Sequence, residues 1–470
     1  MGAATTRSRL HGAIGVGGAE VASLSTAGLL ETGDIRVMKW LYPAMALVLA
    51  AHAQAQEHGV DLTALANYAN QVRPGFITRN NTPPENPITD AGATLGRVLF
   101  YDKRLSRNDT VSCSSCHQQA HAFSDGAIAS MGVGGSTARH APRLVNARFA
   151  TERHFFWDKR APTLENLATQ PIQSANEMGF SGTNGDPTFT DLLGKLATIP
   201  EYRTLFQLAF GSAAIDEDRM QRAIAQFIRS IQSFDSKYDK GRESTPDNQT
   251  FPNFTSDENV GKQLFIGFCA VCHRFPEFDI NPTSLNNGVV GAIGGGSDFT
   301  VTRSPALRDL IGPKGNPNGP FMHNGSLPTL LDVVNHYNFI PAGIPNLDPR
   351  LANRNLNLIQ PQKDALIAFM NTLTGKAVYT AEKWSDPFDE KGALALGMVS
   401  RLGPTIENHG DGTATLTCQV APGFDYELQA STDLRRWTRQ SLLTSDVTGT
   451  VTAEVATSGT VFYRFAFVAP

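Results

Sequence analysis

Four of the five cysteines in this 470-residue chain fall into two copies of one pentad, Cys113-Ser114-Ser115-Cys116-His117 and Cys269-Ala270-Val271-Cys272-His273. Both read C-x-x-C-H, the attachment signal for c-type haem. Two thiols one helical turn apart can each add to a haem vinyl group, and the adjoining imidazole then binds the iron from the proximal side. A C-x-x-C redox pair or a zinc site would leave the repeated trailing histidine unexplained. Each pentad therefore demands a pocket for a large planar group. Cys418 is left over and reads as a small buried apolar residue.

Covalent haem is attached outside the cytoplasm, and the N-terminal sequence agrees. Met38-Lys39-Trp40 precedes an apolar run over 41–51 and then Ala53-Gln54-Ala55. A basic n-region, a short apolar core and an A-x-A site describe a signal peptide with translation starting at Met38. The run is too short for a membrane anchor, which needs about 20 apolar residues. The expected location is periplasmic or otherwise exported, with no membrane span after signal removal. Lys+Arg 40 against Asp+Glu 44 gives a net charge of -4, which argues against nucleic acid as a partner.

The expected organisation is an extension and signal peptide over 1–55, a first haem domain over 56–245, a second over 246–380, and an accessory β domain over 388–470. Apolar residues recur at helical spacing in 216–233 (Met220, Ile224, Phe227, Ile228, Ile231) and in 361–374 (Leu366, Ile367, Met370, Leu373). The Gly-rich stretch 291–296 lacks the spacing of a nucleotide loop. Period-two alternation in 413–420, 426–430 and 461–465 reads as a small antiparallel β-sandwich. The fold class expected from these patterns is mainly α, with two cytochrome-like domains followed by the β module. Gly 42 and Pro 27 imply long connections.

The residues around the pentads resemble bacterial diheme cytochrome c peroxidases and MauG-like proteins. They include Leu105-Ser106, Ala122-Phe123-Ser124-Asp125-Gly126, Ala141-Pro142-Arg143-Leu144-Val145-Asn146, Phe156-Trp157-Asp158-Lys159-Arg160 and Glu177-Met178-Gly179. In the second half they continue with Arg303-Ser304-Pro305-Ala306-Leu307-Arg308, Gly319-Pro320-Phe321-Met322-His323-Asn324-Gly325 and the stretch 330–337. The match spans about 85–376 and omits the β module.

The resemblance implies that the haem on His117 is peroxidatic and that Glu177 is the distal acid. Glu177 would take a proton from hydrogen peroxide and return it to the leaving oxygen. The family's partner glutamine falls on Leu167. Trp157 matches the tryptophan between the haems, where a core aromatic is the alternative and compatible role. Relatives that rest inactive block the first iron with a histidine from the following loop. The corresponding loop, 130–139, has no histidine; Met131 is the only conceivable substitute, and His121 lies too close to His117 in sequence. A five-coordinate first haem is expected.

The second haem, on Cys269, Cys272 and His273, would store electrons. The position of its distal ligand falls on Tyr337, with His336 the alternative. The family's calcium ion is held by backbone carbonyls that correspond to Asn318 and Pro320, and by an asparagine whose place is taken by His140. Imidazole is a poor ligand for a hard cation. Three functions follow: a peroxidase fed by a small cytochrome or cupredoxin, a MauG-like oxidase of a partner protein's side chains, or a non-catalytic electron carrier. Family peroxidases are often homodimers.

Overall fold

The structure, a computed structural model, describes residues 59–470 apart from Asn281, Ser304, Asn353 and Thr460. The extension, Met38 and the signal-peptide reading lie outside the described residues. None of the helices described is long and apolar enough to cross a membrane.

Two helix pairs frame the pentads. Helix Asp90–Tyr101 precedes the first pentad and packs on Glu217–Ser230, which follows it. Helix Ser256–Phe268 precedes the second and packs on Gln360–Asn371. Sequence sets the boundaries: the side chains of Thr89, Asp216 and Thr255 accept the orphan N–H groups of Gly92, Arg219 and Glu258. The stripe Met220, Ile224, Phe227, Ile228 and Ile231 is buried, as are Leu366, Met370 and Leu373, while Ile367 is half-buried. Each pair closes at a glycine. A Cβ on Gly96 would collide with the Ala223 carbonyl, and one on Gly261 with that of Ala365.

The mainly α expectation is corrected: 28% of the chain is helical and 15% is strand. The longest of the helices described has 14 residues, and the long stretch between Phe268 and Leu330 carries only the two-residue strands His273–Arg274 and Asp279–Ile280. Glycine and proline punctuate these connections, and side-chain-to-backbone bonds hold them in place of helices. Lys159 Nζ, for instance, donates to the carbonyls of Pro282 and Ser284 at 2.8 and 3.0 Å.

The C-terminal β region consists of two three-stranded antiparallel sheets. In one, Asp425–Ser431 lies between Phe462–Val468 and Thr438–Thr444; in the other, Thr413–Gln419 lies between Thr405–Asn408 and Thr450–Ala456. Cys418 is buried in it. One apolar cluster runs from Val60 to Ile231 and on through Val378, Trp384 and Met398 into both sheets, whereas a second holds residues 238 to 373. A parallel bridge pairs Val60 with Leu396.

Candidate functional site

The first pentad forms the single helical turn Cys113–Cys116, opened by a bond from Ser112 N–H to Ser115 Oγ (3.0 Å). The turn brings both thiols to one side. The chain then bends through Ala122 and Phe123, both left-handed (φ 54° and 59°), which puts the Phe123 carbonyl 3.1 Å from His117 Nδ1. With Nδ1 donating there, Nε2 is left with its lone pair free for a metal. Burial pushes His117 down to about 4, so the imidazole is neutral. The second pentad repeats the backbone bend. Phe278 is again left-handed (φ 59°), its carbonyl faces His273, and burial again pushes the imidazole down to about 4. His273 Nδ1 is buried and closes no hydrogen bond.

Burial likewise raises the Cys113 and Cys269 thiols to about 12. Protonated thiols beside a neutral imidazole suit addition to vinyl groups and an axial nitrogen ligand. A cavity opens against the second pentad, walled by Cys269, Cys272, His273, Met322, Tyr337 and Trp157 among mainly apolar neighbours. These residues fit a haem. Tyr337 faces this cavity; burial raises its phenol, and a bond to Asn287 opposes the shift. His336 is not on the wall: its Nε2 lies 2.9 Å from the Asn287 carbonyl.

A much smaller cavity is walled by Phe156, Leu164 and Leu167. Trp157, Pro142, Arg143, Arg303 and Pro305 belong to both cavities. Trp157 is thus part of the partition between them. Its Nε1 donates to the His140 carbonyl at 2.6 Å, its own carbonyl accepts from Arg303 N–H at 2.7 Å, and its ring meets His323 edge-on at 6.3 Å.

Glu177 lies on neither cavity wall, but its charge reaches Cys113 and Cys116. Burial raises its carboxyl, and the Arg160 guanidinium pulls the other way. The loop 130–139 is fastened to its backbone: Val133 N–H donates to the Glu177 carbonyl (2.9 Å) and Gly134 N–H to that of Asn176 (3.1 Å). Gly132 allows this approach, since a Cβ there would strike the Asn176 carbonyl. Met131 is 67% exposed and takes a bond from Ser136. Leu167 supplies no polar partner to Glu177.

Two of the positions that the resemblance assigns to calcium have partners within the chain. The Asn318 carbonyl accepts Arg143 Nη2 at 2.6 Å, and His140 spends its ring nitrogens on the Ala127 carbonyl (2.9 Å) and Ser124 Oγ (3.3 Å). Pro320 lines the larger cavity instead. Sequence reasoning did not single out Phe123, Phe278 or Asn287 as part of the site, nor did it give Arg143 a role. Only Phe123 and Arg143 carried a signal, as members of the motifs around the first pentad.

Comparison with known proteins converges on one group. A family model described as di-haem cytochrome c peroxidase matches residues 90–245. The methylamine utilization protein MauG of Methylorubrum extorquens is 32% identical over 341 residues, covering 69% of this chain and 88% of its own. The cytochrome c551 peroxidase of Nitrosomonas europaea is 29% identical over 297 residues, 60% of this chain and 80% of its own. A crystal structure of a MauG-like protein associated with microbial copper homeostasis superposes with a TM-score of 0.56 at 29% identity, over 68% of this chain and 99% of that one.

Proposed function

The chain belongs to the di-haem cytochrome c peroxidase family, which includes the MauG proteins, and is an oxidoreductase that works with haem; from that premise we propose an exported enzyme that reduces hydrogen peroxide at the N-terminal site with electrons relayed from the second. Two c-type haems would be attached, one through Cys113, Cys116 and His117 and the other through Cys269, Cys272 and His273. When bound, they supply redox-active iron. The observation that carries this reading is the repeated pair of thiols followed by a buried, neutral imidazole, at Cys113, Cys116 and His117 and again at Cys269, Cys272 and His273, with Trp157 on the wall of the cavity at the second.

The chain's own residues have separable tasks. The Phe123 carbonyl fixes the tautomer of His117 so that Nε2 faces the metal. Glu177, as the carboxylate, accepts a proton from peroxide; burial, which raises its carboxyl, helps it hold that proton until it is returned to the departing oxygen, so that water leaves. Trp157 keeps its N–H on a backbone carbonyl, which is no base, and so passes an electron without losing its proton. Tyr337, on the wall of the cavity at the second pentad, would be the residue to hold that haem from its other side. Peroxide, two electrons and two protons give two waters.

A small cytochrome or cupredoxin would supply the electrons to a peroxidase; in a MauG-like oxidase they come from side chains of a partner protein. The second source is favoured by the loop 130–139. It holds no histidine, its Met131 points to solvent, and its backbone is pinned to Glu177, so no switching ligand is at hand.

The test is an optical and EPR titration of the fully oxidised, haem-loaded protein with one equivalent of hydrogen peroxide. A high-spin ferric signal consumed within the mixing time supports an open first haem and the MauG-like branch. Reaction only after one haem is reduced replaces it with a reductively activated peroxidase. No reaction in either state leaves an electron carrier.

A further inference from the structure

We propose that Arg143 takes the place of a metal cation at the Asn318 carbonyl, and that this protein dispenses with the calcium ion its family resemblance implies. The oxygens at issue are the carbonyls of Asn318 and Pro320 and a side-chain oxygen at position 140. The first is taken: Arg143 Nη2 donates to it at 2.6 Å, and both residues are buried. The Asn318 side chain is turned elsewhere, donating to the Asp309 carbonyl (2.9 Å) and the Tyr379 hydroxyl (2.7 Å). The third oxygen does not exist, because residue 140 is a histidine with both ring nitrogens engaged.

A divalent ion binds carbonyl oxygen at about 2.3–2.6 Å. It would therefore share that oxygen with a guanidinium, which cannot lose its proton in a protein. Two positive charges so close in a poorly screened interior repel strongly. The Asp309 charge reaches Arg143 through the interior and favours the charged guanidinium, against the burial that opposes it.

The exchange has a mechanical use. Arg143 follows His140 by three residues, and the His140 carbonyl holds Trp157 Nε1 while its N–H donates to the His323 carbonyl at 2.7 Å. The guanidinium thus ties the segment that seats Trp157 to the segment that carries Asn318 and Pro320. It is a positioning residue.

The proposal takes from the family reading only the identity of the oxygens, so it is tested without turnover. The experiment is metal analysis of the desalted holoprotein, with melting temperature and haem EPR recorded in EGTA and in millimolar calcium. The expected result is substoichiometric calcium and identical melting and spectra in both buffers. Arg143→Lys stays insensitive to calcium, and Arg143→Ala melts lower and regains part of the loss when calcium is added. One equivalent of tightly held calcium in the unsubstituted protein, or a haem signal altered by EGTA, overturns the proposal whether or not the variants fold. An Arg143→Ala protein that melts like its parent overturns the positioning role. A protein inert to peroxide but calcium-free would defeat the proposed activity and leave this inference standing.

Discussion

Glu177 lives under two opposed influences, burial raising its carboxyl and the Arg160 charge lowering it, with burial the larger. A carboxyl whose folded pKa lies above its unfolded value holds its proton longer in the folded chain. The stability it lends is present at acid pH and is lost as pH rises through the raised pKa. Glu177→Gln is therefore expected to melt no lower than the parent at neutral pH, while reacting with peroxide about 10²–10⁴-fold more slowly. The acid limb of the pH profile should vanish with it, which stopped-flow mixing across pH reads directly. Trp157→Phe keeps an aromatic ring but deprives the His140 carbonyl of its donor, worth about 0.5–1.5 kcal/mol. Electron exchange between the haems should slow while each haem's own spectrum is retained, as a flash or stopped-flow reduction experiment would register. The thiols and imidazoles were legible from spacing alone. Phe123 and Phe278 as residues whose carbonyls face the imidazoles were not, because nothing in a phenylalanine side chain announces a left-handed backbone.

At the scale of elements, the two helix pairs are variations on one plan, each closing at a glycine. Gly261→Ala must push Ser256–Phe268 away from Gln360–Asn371, an overpacking error of about 1–3 kcal/mol that thermal melting would detect. Between the pairs, the fully buried Arg308 holds Asp239 at 2.9 Å and stacks on Phe234, Tyr238 and Phe278. Asp239→Ala leaves that guanidinium unpaired, with an expected loss of about 3–5 kcal/mol. Of each pair, the stripe in 216–233 and that in 361–374 could be read from periodicity. Their partners could not. In Asp90–Tyr101 the buried residues run unbroken from Gly92 to Tyr101, so no polar face marks the period, and in Ser256–Phe268 only Gly261, Lys262 and Phe265 are buried. The expected helix content was too high for the related reason that haem-binding segments are tied down by single bonds and turns, which leave no periodic trace.

Over the whole molecule, the β region is bound into the apolar cluster of the N-terminal half rather than that of residues 238–373. Its strands were legible from alternation; this attachment was not, since it depends on contacts between residues hundreds apart. Tyr68 donates to the Lys383 carbonyl across 315 positions, and Tyr101 to that of Trp384 at 2.7 Å. Removing 388–470 is accordingly expected to lower the melting of the part that carries His117 more than the part that carries His273, which haem-specific absorbance during heating would separate. Those same contacts set an order of events on the ribosome. The residues around the first pentad are synthesised early, yet their walls stay open until the chain has been extended past Met398. The half made first is the half completed last, and a group joined to His117 after export would have to enter before the β region closes over that half.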